Sequence, residues 1–214
     1  MNDTTMETGG DTRSAGYRAL ICVLLGGLGL LSFGDHFYHV RNGILSYNVG
    51  PFIDAQSVFV WPIFVAAITL ILAFTSFLTK NATPSSFSKL LLPFAIVHAA
   101  YFCSGIWGIS HPTELTLALI ALWVVRIALT SEYRAQIVVV SLVLAVCGPL
   151  GEGFVSMLGL FDYAPTLKQF VSVPYWLSCL YLNAGALAVT AARWIRIGDL
   201  FQANQASLSR KTMA

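Results

Sequence analysis

The chain has 214 residues, 57% of them hydrophobic and only 10% charged, with a net charge of +2 and a mean hydropathy of +0.73. A soluble domain carries about 25% charged residues, so a water-soluble globule is excluded. The small net charge gives nucleic acid nothing to bind.

Residues 1–16 are polar, rich in Thr, Gly and Asp, and read as a disordered cytoplasmic extension. No apolar run follows a basic start and no small-residue cleavage site is evident, so this is not a signal peptide. Six apolar stretches follow, Tyr17–Tyr38, Ser57–Thr79, Leu90–Trp107, Thr113–Thr130, Ala135–Leu158 and Pro174–Trp194. Each is close to the ~17–25 residues that cross a hydrocarbon core about 30 Å thick. Residues 17–196 are therefore one transmembrane domain, an all-α bundle of six helices, and 197–214 form a polar cytoplasmic tail. Breakers mark the connections: Asn42-Gly43, Gly50-Pro51, Asn81 to Ser86 and His111-Pro112.

Orientation follows from charge. With the N-terminus inside, Arg13, Arg18, Lys80, Lys89, Arg126, Arg134, Arg193, Arg196, Arg210 and Lys211 are cytoplasmic, leaving only Arg41 and Lys168 outside. This positive-inside bias puts both termini in the cytoplasm. Trp61, Trp107 and Trp176 fall at the outer interface and Trp194 at the inner, as an aromatic belt requires. The membrane is the plasma membrane in a bacterium or the endoplasmic reticulum in a eukaryote. Cys22, Cys103, Cys147 and Cys179 all lie in spans and read as small packing residues rather than disulfides.

Polar groups at membrane depth are the place to look for function, because each is costly there. His98 and Asn183 lie near mid-membrane, and Glu152 in the outer half of the fifth span. Glu152 sits in Gly148-Pro149-Leu150-Gly151-Glu152-Gly153. A proline removes a helix hydrogen bond and clashes with the carbonyl four residues back, so the fifth helix is expected to kink or open here. Open backbone in lipid must line a cavity or be buried in protein. The alternatives are a ligand pocket beside the fifth helix and a packing kink with Glu152 held by a neighbour. His98 reads first as a buried histidine bonded to an adjacent helix. Asn183, beside Ala184-Gly185-Ala186, reads first as interhelical glue. Asp35, His36 and His39 close the first span at a spacing that could hold a metal. The alternative is ordinary interfacial polarity; no metal or cofactor is assigned. Asp54 and Asp162 read as solvated loop residues. Gly26-Gly27-Leu28-Gly29 and the small residues of the sixth span allow close helix approach, within the chain or in a homo-oligomer, dimer or trimer.

The second half of the chain resembles the insulin-induced gene (Insig) family. The resemblance is carried by Glu114-Leu-Thr-Leu-Ala-Leu-Ile-Ala-Leu122, by Gly159-Leu-Phe-Asp-Tyr163, and by Phe170-Val-Ser-Val-Pro-Tyr-Trp-Leu-Ser-Cys179 running on to Asn183-Ala-Gly185 and Arg193. Trp61-Pro62 and His98-Ala99 are similar to further family motifs. The similarity is specific from about 114 to 195 and topological elsewhere. It implies a six-helix bundle with cytosolic termini, no enzymatic activity, intramembrane binding of sterol-like ligands, and retention of a Scap-type partner. Two positions depart from that pattern. The family's aspartate tied to Scap binding falls at about Ser131, and its sterol-linked glutamine near Gly153, one position after Glu152. The resemblance thus favours a lipid pocket over a Scap-type partner, with a diacylglycerol- or sterol-like ligand.

The reading that results is a non-catalytic lipid-binding protein. Its pocket would lie between helices including the first, third, fifth and sixth, open sideways to the bilayer. The expected lining is Phe94, His98 and Phe102 from the third span; Gly148, Gly151, Glu152 and Val155 from the fifth; and Asn183 from the sixth. The alternative is an intramembrane lipid-modifying enzyme, a metal-dependent hydrolase or an isoprenoid hydratase. It would use His36, His39, His98, His111, Asp35 and Glu152. No His-Glu-x-x-His or Gly-x-Ser-x-Gly motif supports it. A transporter would be expected to show an internal repeat, and none is visible.

Overall fold

The computed structural model describes residues 8–195, with side chains from position 14. The extreme N-terminus and the tail, including Arg196, Arg210 and Lys211, lie outside the described residues. Among those described, six helices cross the bilayer. The first begins as α1 (Thr8–Leu24) and continues through two π-helical segments, Leu25–Ser32 and Asp35–Val40. The others are α2 (Val60–Leu78), α3 (Ser88–Trp107), α4 (Pro112–Leu129), α5 (Arg134–Met157) and α6 (Trp176–Ile195). The last five agree with the expected spans to within three residues. The helix start at Thr8 means that 8–16, expected as an extension, continue the first helix inward.

Five of the six are long and apolar enough to span by composition alone. The sixth, α6, carries Asn183 and Arg193 and falls short of that apolarity. It is instead the central helix, touching α1 to α5. Twelve of its twenty residues are buried, against two in α4. Lipid is the solvent here, so the outer helices must be apolar on their exposed faces, whereas an enclosed helix can carry polar groups that its neighbours satisfy. Asn183 does this: Nδ2 donates to the carbonyl of Leu119 on α4 at 3.0 Å and to that of Cys179 at 2.9 Å. Gly185 lets α5 close in, since a Cβ there would meet Ser141 Oγ at 2.1 Å.

One expectation about backbone is overturned. The fifth helix does not open at Pro149; α5 is continuous from Arg134 to Met157 with Pro149 buried inside it. Two of its glycines serve close approach instead. A Cβ on Gly148 would collide with the ring of Tyr181, and one on Gly153 with the carbonyl of Val171. The irregular helix is the first. Around Gly26 and Gly27 it winds wider than an α-helix, and Ser32 Oγ returns to the carbonyl of Gly27, five residues back, at 2.8 Å. Gly27 also lets the α2 backbone approach, with Val65 Cα 3.1 Å from where a Cβ would sit. π-turns of this kind are frequent at functional sites.

The outer loops contain structure that hydropathy alone does not reveal. β1 (Leu45–Tyr47) pairs antiparallel with β4 (Phe161–Tyr163), in the register Leu45↔Tyr163 and Tyr47↔Phe161. Alternation puts these four on one face. They turn inward while Ser46 and Asp162 face outward, so the ribbon caps the outer end of the bundle. β2 (Phe52–Ile53) and β3 (Gln56–Ser57) form a hairpin whose turn residues Asp54 and Ala55 both have positive φ, 46° and 66°. Positive φ at both positions is the demand of a two-residue hairpin loop. Trp176, assigned to the aromatic belt by sequence, is fully enclosed and donates to the carbonyl of Gly108.

Candidate functional site: a membrane-depth cavity capped by tyrosines

A cavity of about 690 Å³ runs between the helices, lined from the first helix, α2, α3, α5 and α6. At its cytoplasmic end are Leu90, Ala191 and Trp194; at its outer end are Asp35, Tyr47 and Glu152. The walls between are apolar. Leu25, Leu70 and Leu91 line the cavity and are themselves exposed, so the space is not sealed along its length.

The outer end is built from neutral donors around two carboxyl groups. Glu152, on α5, accepts from the hydroxyl of Tyr181 at 2.6 Å and from that of Tyr163. Asp35, on the first helix, accepts through Oδ2 from Tyr47 and from Gln56 Nε2, both at 2.8 Å. Gln56 also donates to the carbonyl of Ser32 and accepts from Trp61 Nε1, which fixes its amide. The capping ribbon therefore supplies one tyrosine to each carboxyl, Tyr47 from β1 and Tyr163 from β4, and the hairpin supplies Gln56. Both carboxyls border the same cavity. Among the described residues no Lys or Arg lines the cavity.

Of the residues anticipated from sequence, Phe94, Gly148, Gly151, Glu152 and Val155 line this space. His98, Phe102 and Asn183 do not. His98 Nε2 is 2.7 Å from the hydroxyl of Tyr38 on the first helix, a helix-to-helix bond. Phe102 is exposed and meets Tyr38 edge-on. Asn183 joins α6 to α4, away from the cavity. Gly151 faces open space, with nothing within 4 Å of where its Cβ would be.

The possible metal group at the end of the first helix does not converge. Asp35 turns to Tyr47 and Gln56, His36 pairs with Asp54 at 3.1 Å, and buried His39 bonds Ser104 Oγ at 2.9 Å. Among the described residues no three His, Cys, Asp or Glu side chains gather to hold a metal. Asp54 and Asp162, read as solvated, are exposed and ion-paired, with Arg41 at 2.5 Å and with Lys168 respectively.

Sequence reasoning missed α2 as a wall and the contributions of Asp35, Gln56, Tyr47, Tyr163 and Tyr181. A usable signal existed in the outer loops, where Leu45-Ser-Tyr47 and Phe161-Asp-Tyr163 both alternate apolar or aromatic with polar.

Fold and site together define a polytopic six-helix membrane protein with a cavity between its helices. The fold is an Insig-like one: it matches the crystal structure of MvINS, a mycobacterial Insig homologue from Mycobacterium vanbaalenii, with a TM-score of 0.72 and 22% sequence identity over 84% of this chain and 94% of that one. A cross-linked trimer of a cysteine variant of MvINS matches equally well, at the same score and coverage. No family model matches the chain, and no curated protein matches it in sequence.

Proposed function

We propose that this protein binds a membrane lipid in the cavity and does so without catalysis. The observation that carries the reading is the cavity's shape and chemistry: about 690 Å³, mostly apolar along its length, with its two carboxyl groups both at the outer end. Small-ligand pockets of about 300–1,000 Å³ with mostly apolar walls and a few oriented polar groups have this form. A lipid entering from the side would lay its acyl chains or ring system along α2, α3 and α6 and bring a small polar end to Asp35 and Glu152. A phosphate has no cation to meet there, which favours a diacylglycerol- or sterol-like body. Native mass spectrometry after purification in a mild detergent tests this. One lipid per chain, lost when the cavity is filled by substitution, is expected. Well-folded protein carrying no lipid, and taking up none from mixed micelles, would remove the basis of the proposal.

One observation favours a second reading, a lipid-modifying enzyme: two carboxyl groups face one water-poor space, as acid–base chemistry requires. Turnover of a membrane lipid or isoprenoid that disappears in both Asp35→Asn and Glu152→Gln, with the fold retained, would establish it over simple binding. The MvINS trimer also suggests a homo-oligomer here, which cross-linking in native membranes would reveal as a discrete band.

A further inference from the structure

We infer that the ligand is a lipid of the outer leaflet, admitted through a gap between α2 and α5 that the small residues Ala67, Cys147 and Gly151 leave open. The inference rests on the lipid-binding reading and adds the leaflet from which the lipid comes.

The helices around α6 do not close into a ring. The first helix packs on α2 and, through its outer π-helical segment, on α3; α3 packs on α4, and α4 on α5. Among the described residues no packed interface joins α5 to α2. On α2, Val65 and Ile68 face the first helix, where they meet the Cβ positions of Gly27 and Gly26. Ile63, Ala67 and Leu70 recur at helical spacing on the other side of α2 and line the cavity. Ile63 and Leu70 are exposed, Leu70 over 71% of its surface. On α5, Cys147 and Gly151 stand one turn apart, line the same cavity and are both exposed. Counted inward from the outer helix ends at 1.5 Å per residue, Ala67 and Gly151 both lie about 10 Å down, and Leu70 and Cys147 about 15 Å. The two edges therefore border one gap, at matching depths in the outer half of the membrane.

A second approach lies in the inner half, where no packed interface joins the first helix to α3. Its edges are bulky: Ile21, Leu25, Phe87 and Leu91 line the cavity there and are exposed. The Phe87 ring lies 5.2 Å from that of Trp194, and the Arg18 guanidinium stands over the same indole at 5.9 Å, so aromatic rings stopper this end. Head-group orientation also selects the outer gap. A lipid keeps its polar end at the surface of its own leaflet, because carrying it through hydrocarbon is costly. One from the outer leaflet, sliding sideways past Gly151, arrives with its polar end beside Glu152, the next residue, under the β1–β4 cap. One from the inner leaflet would arrive inverted, with its polar end at Trp194 and its chains against the carboxyl groups.

Uptake of a diazirine-labelled diacylglycerol from mixed micelles by the full chain, read as photo-cross-linked protein against time, decides the matter. Ala67→Cys bridged to the native Cys147 by a reversible bis-methanethiosulfonate should take up the probe at least about tenfold more slowly, since each 1.36 kcal/mol on a barrier is a factor of ten. Reduction of the bridge should restore the rate. The same reagent on Ala67→Cys with Cys147→Ala, which cannot bridge the gap, corrects for modification of single thiols, Cys22 included. Ala67→Trp, which needs no bridge, should slow uptake and release alike, the mark of a blocked passage rather than a filled site. A bridged outer gap that leaves uptake unchanged overturns the inference while lipid binding stands. So does a bridge between Leu25→Cys and Leu91→Cys, in Cys147→Ala protein, that slows uptake as much as the outer one. Failure of the folded, unbridged protein to take up the probe removes the lipid-binding reading, and the inference with it.

Discussion

The ring of Tyr181 lies over Gly148, and its hydroxyl donates to Glu152 one helical turn further along the same face of α5. Residues four apart on a helix are vertical neighbours, so the missing side chain at 148 is what gives the ring room to reach the carboxyl at 152. A Cβ at 148 would stand 2.6 Å from the ring. Gly148→Ala is therefore expected to displace Tyr181, break its bond to Glu152 and cost about 1–3 kcal/mol through overpacking. Tyr181→Phe keeps the ring and deletes only the bond, for a loss of about 1–3 kcal/mol if Glu152 is left short of a donor. Thermal unfolding of both variants in detergent measures this. A neutral Gly148→Ala would mean that the ring has another place to go.

Gly151, three residues further on, behaves oppositely. Nothing lies within 4 Å of its Cβ direction, and it lines the cavity. Gly151→Phe is expected to fill space rather than to collide, leaving stability within about 1 kcal/mol of the parent while abolishing co-purified lipid. Paired unfolding and lipid-extraction measurements on one preparation separate the two effects. Retention of stoichiometric lipid by a folded Gly151→Phe protein would place the ligand elsewhere.

The contrast between 148 and 151 also shows what was legible in the sequence. The spans could be read because lipid gives no partner to exposed backbone, so each crossing must be an unbroken apolar helix. Glu152 could be read as a candidate because a charged residue at that depth needs a reason. Its environment could not, since Tyr163 and Tyr181 arrive through the pairing of two short loops and the packing of α6. The run Gly148 to Gly153 looks like a break when only local propensity is weighed. Packing decides otherwise: Gly148 seats Tyr181, Gly153 seats the carbonyl of Val171, and α5 stays helical against α6. The irregularity moved instead to the first helix, where the sequence offered Gly26-Gly27-Leu28-Gly29 and small-residue packing was the only reading given to it.

Acid should loosen the outer loops before the bundle. The hydrogen bond from Arg41, and then its charge, hold the Asp54 carboxyl below the usual carboxylate range. Lys168 and then Asn48 do the same for Asp162. A group whose folded pKa is depressed contributes stability that is present above its unfolded pKa and lost as pH falls through the folded one. The ribbon and hairpin should therefore keep their ties at neutral pH and lose them below the ordinary carboxylate range. Hydrogen exchange at 41–57 and 160–168 as a function of pH reads this directly. Both carboxylates are exposed, so the effect should shrink with added salt. Asp54→Asn should remove the acid-dependent step in the hairpin and leave the helices unaffected.

At the cytoplasmic end, Arg193 ties three elements together from a buried position. Its Nε donates to the carbonyl of Thr83 at 2.9 Å and its Nη2 to Thr83 Oγ1 at 3.3 Å, both in the α2–α3 loop. The guanidinium lies 3.7 Å from the ring centre of Tyr133, in the α4–α5 connection. The Tyr133 hydroxyl in turn meets the Thr83 nitrogen and Oγ1 at 2.8 Å. Lysine keeps the charge but has neither the planar fork nor the face that stacks on an aromatic ring. Arg193→Lys is expected to cost about 1–3 kcal/mol through lost hydrogen bonds to a charged group. A double-mutant cycle with Tyr133→Leu should show a coupling of about 0.5–2 kcal/mol, the range of a cation over an aromatic face. Additive losses would mean that the two residues act separately, each holding the Thr83 loop on its own.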